Sequence, residues 1–201
     1  MIPFVTIPNA MGGPFADSLL AFAIDHRETG KQGRLRDTSS PIGRIDPALR
    51  NVLVIPNLGS LGDELQVGVD ARLDEVRAKL GIKPFERERT QVSMVAYGDG
   101  MFYGKHIDTT LRPRPGQATR QITFVYYFHR EPKSFGGGAL RLYDFRQRES
   151  IDVDPQRDTF IAFPSWMYHQ VLPVSCPTGA FSDGRFAVNV WITGRPVNPG
   201  A

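Results

Sequence analysis

"YGKHIDTT", residues 103–110, sets His106 two places before Asp108, after a Tyr–Gly pair and ahead of a threonine-rich turn. In an extended strand residues i and i+2 point to the same face, whereas on a helix they diverge by roughly 200°. As a strand, this stretch aims an imidazole and a carboxylate at one point; as a turn, it leaves two unconnected surface residues. The flanking sequence favours the strand. From about residue 86 the chain reads as short runs rich in Val, Ile, Phe, Tyr and Thr, separated by Gly, Pro, Asp and Ser: "ERTQVSMVAYG", "MFYGKHID", "RQITFVYYFH", "GALRLYDF", "DTFIAFPS", "YHQVLPV" and "GRFAVNVWITG". Six or seven such strands predict a β-sandwich or barrel.

The first 85 residues have a different texture, read as a helical support for that β core over 86–195. Residues 14–28 carry Phe15, Leu19, Leu20 and Phe22 on one side, and residues 61–80 carry Leu61, Leu65, Val69, Leu73, Val76 and Leu80 at helical spacing. Pro14 suits a first helical turn and Gly81 a stop. With no repeat, linker or low-complexity tract, residues 1–201 are expected to form a single domain, long enough to bury about 70% of its unfolded surface.

Composition excludes several classes. An apolar fraction of 41% and a charged fraction of 22% belong to a soluble globular chain without a membrane span. The N-terminus is uncharged up to Asp17 and punctuated by Pro3, Pro8 and Pro14, unlike a signal peptide, so a cytoplasmic protein is expected. The lone Cys176, in the loop "VSCPTG", rules out an internal disulfide and a cysteine zinc cluster. A net charge of +3 and a pI near 9.2 come from arginines spread along the chain rather than clustered, which argues for a mixed surface, not a nucleic-acid patch.

Two ligands do not make a metal site, so a third must be found. His26 sits among charges at the end of the first helix. His129 ends a strand before "REPK" and shares its parity with Tyr127, but His169, opening a strand 63 residues beyond His106, is better placed. Two imidazoles and one carboxylate with open positions form the facial triad of non-haem Fe(II) oxygenases, although a catalytic zinc uses the same donors. The last strand separates the two. "GRFAVNVWI" alternates strictly, with Arg185, Ala187, Asn189 and Trp191 on one face and Phe186, Val188, Val190 and Ile192 on the other. An arginine sharing a face with a tryptophan is a cation inside a barrel, suited to grip a carboxylate with two prongs. The same parity groups Thr123, Val125 and Tyr127, and Ser93, Val95 and Tyr97.

In the order and spacing of "YGDGMFYGKHID", "RQITFVYYF", "GGGALRLYD", "FPSWMYHQV" and "GRFAVNVWI", residues 88–194 resemble the catalytic domain of prolyl 4-hydroxylase-type Fe(II)/2-oxoglutarate dioxygenases, the group that includes oxygen-sensing prolyl hydroxylases. The resemblance implies a mainly β fold with some helix, the double-stranded β-helix or jelly roll of the cupins, backed by N-terminal helices. It makes His106, Asp108 and His169 the iron ligands. Arg185 and Tyr127 match the pair holding the distal carboxylate of 2-oxoglutarate, and Tyr97, Tyr103, Val125, Leu140, Val171, Asn189 and Trp191 match positions around that pocket. The cofactors implied are Fe(II), 2-oxoglutarate and O2, with ascorbate as an accessory reductant. One departure is that Arg185 comes 16 residues after His169, where the family usually spaces nine or ten; residues 172–183 read as a loop insertion at the rim.

The implied reaction is hydroxylation of a prolyl residue in a protein or peptide with release of succinate and CO2. No general base is needed, so Asp99 reads as a turn residue, and "FGGGAL" as a tight turn entering a strand. A hydroxylase of a free amino acid or other small molecule fits the same residues. A nucleic-acid demethylase is disfavoured because that family carries a second arginine six residues after the first, where this chain has Trp191. A non-catalytic cupin-like module leaves Arg185 and Tyr127 without a task. The loop "TTLRPRPGQAT", residues 109–119, follows Asp108 and is expected at the mouth of the site, its Arg112 and Arg114 suiting a flap over an extended acidic peptide.

Overall fold

The computed structural model describes residues 2–37 and 40–197, with the backbone alone at 36, 37 and 40–42. In chain order the elements are β1 (Val5–Pro8), α1 (Gly13–Asp25), β2 (Lys31–Gln32), β3 (Leu35–Asp37), β4 (Ser40–Arg44), β5 (Arg50–Asn51), β6 (Leu53–Ile55), α2 (Ser60–Asp70), α3 (Leu73–Lys79), β7 (Phe85–Tyr97), β8 (Phe102–His106), β9 (Thr119–Phe128), β10 (Gly136–Gly137), β11 (Leu140–Tyr143), β12 (Ser150–Val153), β13 (Thr159–Pro164), β14 (His169–Val171), β15 (Val174–Ser175) and β16 (Arg185–Pro196). One antiparallel sheet runs β1-β13-β9-β16-β7-β6-β2 and a second runs β12-β11-β14-β8-β5. They face each other as the double-stranded β-helix expected from the sequence.

Alternation along the strands builds two cores on opposite faces of the larger sheet. In β16, Phe186, Val188, Val190 and Ile192 are sealed on one side with Phe124, Tyr126 and Phe128 of β9, against Phe15 and Leu19 of α1 and Leu65, Val69 and Val76 of α2 and α3. Each such side chain, fully buried, contributes about 1.5–3 kcal/mol. On the other side Val95, Tyr97, Val125, Tyr127 and Ala187 meet Leu140, Leu142 and Val171 of the smaller sheet. The helices thus brace the larger sheet from behind, leaving its inner face for the site.

The N-terminal region is not only helical. Its β1 pairs with β13, its β6 with β7 and its β5 with β8, so segments before residue 85 extend both sheets. These strands are two to four residues long and carry no readable period, and their partners lie far along the chain. The helix read over 61–80 is two helices, broken at Ala71–Arg72. There the Arg72 N–H turns back to the Val69 carbonyl, and its guanidinium donates to Gly68 O and Ala10 O. The insertion before β16 is built into the fold: Val174–Ser175 pairs with Gly136–Gly137, and Cys176 is buried beside it. Asp99 does sit in a turn, where its carboxylate accepts the Cys176 N–H at 2.7 Å. Among the described residues no helix is long and apolar enough to cross a membrane.

Candidate active site

The histidines meet because of register. β14 pairs with β8 so that His169 lies directly across from His106, and a shift in the ladder just beyond sets Val171 opposite Tyr103. Asp108 lies two residues past the end of β8, tied by its own N–H to the Ser165 carbonyl at 3.0 Å. His106 Nε2 is 3.7 Å from Asp108 Oδ1 and His169 Nε2 is 3.5 Å from Oδ2. One ligand atom from each of the three falls within 4.8 Å of the others.

Each imidazole is oriented by its own chain. His106 Nδ1 is hydrogen-bonded to Gly104 O at 2.8 Å and His169 Nδ1 to Met167 O at 3.0 Å. A carbonyl can only accept, so each ring carries its proton on Nδ1 and turns a bare Nε2 toward Asp108. Burial, reinforced by the neighbouring His169, pushes the His106 imidazole down to about 3 despite the opposing pull of Asp108, so it is a neutral donor at physiological pH. Burial alone raises the Asp108 carboxyl, but His169, His106, the Trp191 indole and Arg120 together hold it below the ordinary carboxylate range. Its Oδ2 accepts Trp191 Nε1–H at 2.8 Å and Thr123 Oγ–H at 2.9 Å, and Thr123 shares a 2.8 Å hydrogen bond with Ser165. Two imidazole nitrogens turned toward an ionised, fixed carboxylate are a donor set that fits ferrous iron.

Arg185 lies deeper in the same cavity and is 1% exposed. Its Nε donates to Gly138 O at 2.7 Å, and its guanidinium lies 4.8 Å from the Tyr97 ring and 4.9 Å from the Tyr127 ring. Among the described residues no carboxylate pairs with it. A buried cation without a counter-ion is unfavourable, so this is a site built for an anion. Burial, only partly offset by Arg185, raises both phenols, that of Tyr127 to about 12. The Tyr127 hydroxyl is buried without a hydrogen-bond partner among the described residues.

The cavity encloses about 1000 Å³, and its walls include His106, Asp108, His169, Arg185, Tyr97, Tyr103, Val125, Leu140, Val171, Asn189 and Trp191. Tyr127 alone of the predicted positions is not on its wall but packs behind Arg185. His129 is elsewhere, its ring edge against Phe135 and its Nδ1 on Arg130 O. His26 stacks on Phe22 and is half-buried. Of the 109–119 loop, Thr109, Thr110, Arg114, Gln117, Ala118 and Thr119 face the cavity and Arg112 does not.

Three contributors were missed from sequence. Ser165 orients Thr123. Gly138, at φ +67°, accepts the Arg185 Nε–H where a Cβ would stand 2.7 Å from Arg185 Cδ. Arg120 stacks at 3.9 Å over Trp191 and reaches Asp108 at 4.0 Å. By alternation Arg120 belongs with Ile122 and Phe124 on the outer face. A register shift between Ile192 and Thr193, which pairs Ile192 with Ile122 and Thr193 with Arg120, gives β9 one extra residue and turns Arg120 inward.

Sequence and structure comparisons agree with this geometry. The model of the family described as the 2OG-Fe(II) oxygenase superfamily matches residues 92–193. An uncharacterized PKHD-type hydroxylase of Synechocystis is 36% identical over 146 residues, covering 69% of this chain and 46% of its own. A PKHD-type hydroxylase of Shewanella baltica is 31% identical over 96 residues, covering 48% and 39%. The chain thus spans less than half the length of these curated relatives. Among solved structures, a Trichoplax adhaerens prolyl hydroxylase in complex with a hypoxia inducible factor oxygen degradation domain peptide fragment superposes with a TM-score of 0.69 at 20% identity, covering 96% of this chain and 84% of that one. A Pseudomonas putida prolyl-4-hydroxylase superposes with a TM-score of 0.68 at 18% identity, covering 98% and 95%.

Proposed function

The chain belongs to the 2OG-Fe(II) oxygenase superfamily, and from that premise we propose that it hydroxylates a prolyl residue within a peptide or protein, with His106, Asp108 and His169 as the iron ligands and Arg185 as the anchor of 2-oxoglutarate. The carrying observation is that a His–Asp–His cluster and a buried arginine without a carboxylate partner among the described residues open into one cavity. Bound iron supplies the redox chemistry that couples decarboxylation of 2-oxoglutarate to succinate with insertion of one O2 oxygen into a C–H bond.

What the chain contributes is position. Arg185 would hold the distal carboxylate of 2-oxoglutarate through its two terminal nitrogens, since its Nε is already committed to Gly138. The apolar walls at Val125, Leu140 and Val171 keep water from the co-substrate, and Tyr97 and Tyr103 stay protonated beside it, Tyr103 being raised to about 12 chiefly by burial. Trp191 and Thr123, itself hydrogen-bonded to Ser165, keep the Asp108 carboxylate aimed. A peptide substrate is supported by the prolyl hydroxylases among the structural neighbours and by a cavity of about 1000 Å³ lined in part by the 109–119 loop.

The experiment is succinate release with Fe(II) and 2-oxoglutarate against proline-containing peptides and free amino acids, with mass spectrometry for a +16 Da product. Succinate formation coupled to a +16 Da peptide is expected. A +16 Da product from a free amino acid alone would move the assignment to small-molecule hydroxylation.

A further inference from the structure

Among the described residues six arginines line the cavity, against a single carboxylate, Asp108. Two have tasks: Arg185 lies at the base, and Arg120 is held between Asp108 and Trp191. The other four are Arg34 and Arg50 from the N-terminal region, Arg89 from β7 and Arg114 from the loop after Asp108. Among the described residues none of these four has a carboxylate partner, although nearby surface arginines do: Arg44 pairs with Asp46, Arg87 with Asp70 and Arg195 with Glu88. Other cations, Arg112, Arg146 and Arg148 among them, also lack a carboxylate partner among the described residues, but these four converge on one cavity.

They also come from separate parts of the chain. Arg50 is half-buried, its Nε has no hydrogen-bond partner, and its guanidinium lies 4.6 Å over the Tyr103 ring, which stacks at 3.6 Å on His106. Its Nη1 donates to the Arg34 carbonyl, which ties the two N-terminal arginines together. Arg34, Arg89 and Arg114 are exposed. Unpaired guanidiniums around a metal-ligand cluster set up a positive field that draws anions and prefers planar carboxylates.

We propose that the substrate is an acidic polypeptide segment, its carboxylates on either side of the hydroxylated residue held by Arg34, Arg50, Arg89 and Arg114. This rests on the peptidyl reading above and narrows it to a chemical class. Spread over the mouth rather than gathered at one point, the four arginines fit several carboxylates along an extended chain better than one small anion.

The test uses three synthetic peptides with a central proline flanked by Glu, Gln or Lys at the same positions. Binding is read by fluorescence anisotropy and turnover by the +16 Da product. Glu peptides are expected to bind and turn over at least tenfold better than Lys peptides, with Gln between, and the preference should shrink between 50 and 300 mM salt, conditions chosen on the order of the Debye screening range. Arg89→Gln with Arg114→Gln should reduce the preference severalfold. Arg89→Glu with Arg114→Glu should move it toward the Lys peptide, a reversal that mere loss of structure cannot produce. Hydroxylation of all three peptides at equal rates, indifferent to these changes, overturns the acidic class and leaves the peptidyl reading standing. Tight, charge-ordered binding with no +16 Da product keeps the acidic partner and overturns prolyl hydroxylation. A single-stranded oligonucleotide of equal charge that binds more tightly than the Glu peptide overturns the polypeptide class itself.

Discussion

At the scale of single residues, Arg185 and Trp191 show how one strand divides its labour. Arg185 is a buried cation with no carboxylate partner among the described residues, which is why 2-oxoglutarate is proposed as its counter-ion. Arg185→Ala is expected to raise the 2-oxoglutarate KM by about 10²–10⁴-fold, the equivalent of the roughly 3–5 kcal/mol lost when one side of a buried pair is removed. Arg185→Lys should recover only part of this, because an ammonium lacks the planar fork. An unchanged KM in the alanine variant would assign the carboxylate to another group. Trp191 would act on a bound metal through Asp108, whose Oδ2 accepts its indole N–H at 2.8 Å. Trp191→Phe keeps an aromatic ring under Arg120 and removes that bond, so Fe(II) or Mn(II) affinity, read by titration without substrate, should fall about 10–100-fold. Equal affinity would mean that Thr123 alone suffices to fix the carboxylate.

At the scale of elements, the turn "FGGGAL" holds Arg185 against the cavity. Gly137 and Gly138 both have positive φ, and Gly138 presents its carbonyl to Arg185 Nε while lacking the Cβ that would collide with the arginine. Gly138→Ala is thus strained twice, by left-handed backbone and by a contact 2.7 Å from Arg185 Cδ and 2.8 Å from Val174 Cγ2. A severalfold or larger rise in 2-oxoglutarate KM is expected, with metal affinity little changed, since the triad sits on other strands. Loss of metal binding in step with 2-oxoglutarate binding would show instead that the whole β10–β11 region had collapsed. The 172–183 insertion supports the same turn: β15 pairs with β10, and Asp183, whose carboxyl is held low chiefly by its hydrogen bond from Arg130 and also by one from Thr178, anchors the segment just before β16.

At the scale of the whole molecule, stability of the metal-free protein should depend on two buried histidines. Burial lowers His129, and lowers His106 to about 3. An unfolded imidazole titrates near 6.5, so between that value and the lowered native ones the unfolded chain binds more protons. Stability is then complete above about pH 6.5 and declines as the pH falls toward the native values. The thermal midpoint of the metal-free protein should drop between pH 7 and pH 5, a window above the carboxylates, and His129→Gln should flatten the slope. A midpoint that holds steady or rises on acidification would contradict the neutral, buried state of both rings.

The sequence by itself determined what is periodic and local. Alternation in "GRFAVNVWI" assigned Arg185, Asn189 and Trp191 to one face and Phe186, Val188, Val190 and Ile192 to the other, and the structure keeps that division, with one set on the cavity and the other in the helix-side core. The meeting of His106 and Asp108 was expected from strand alternation, but Asp108 lies in a bend two residues past β8, and its N–H bond to the Ser165 carbonyl helps set it beside His106. Register was decided only by the tertiary structure. Nothing in "YHQVLPV" says that His169 stands opposite His106, that an extra residue in β9 turns Arg120 toward Asp108, or that Arg34, from the link between β2 and β3, and Arg50, from β5, face the same cavity. Those placements depend on loop lengths, bulges and the packing of two sheets against each other, which join residues far apart in the chain and leave no period within it.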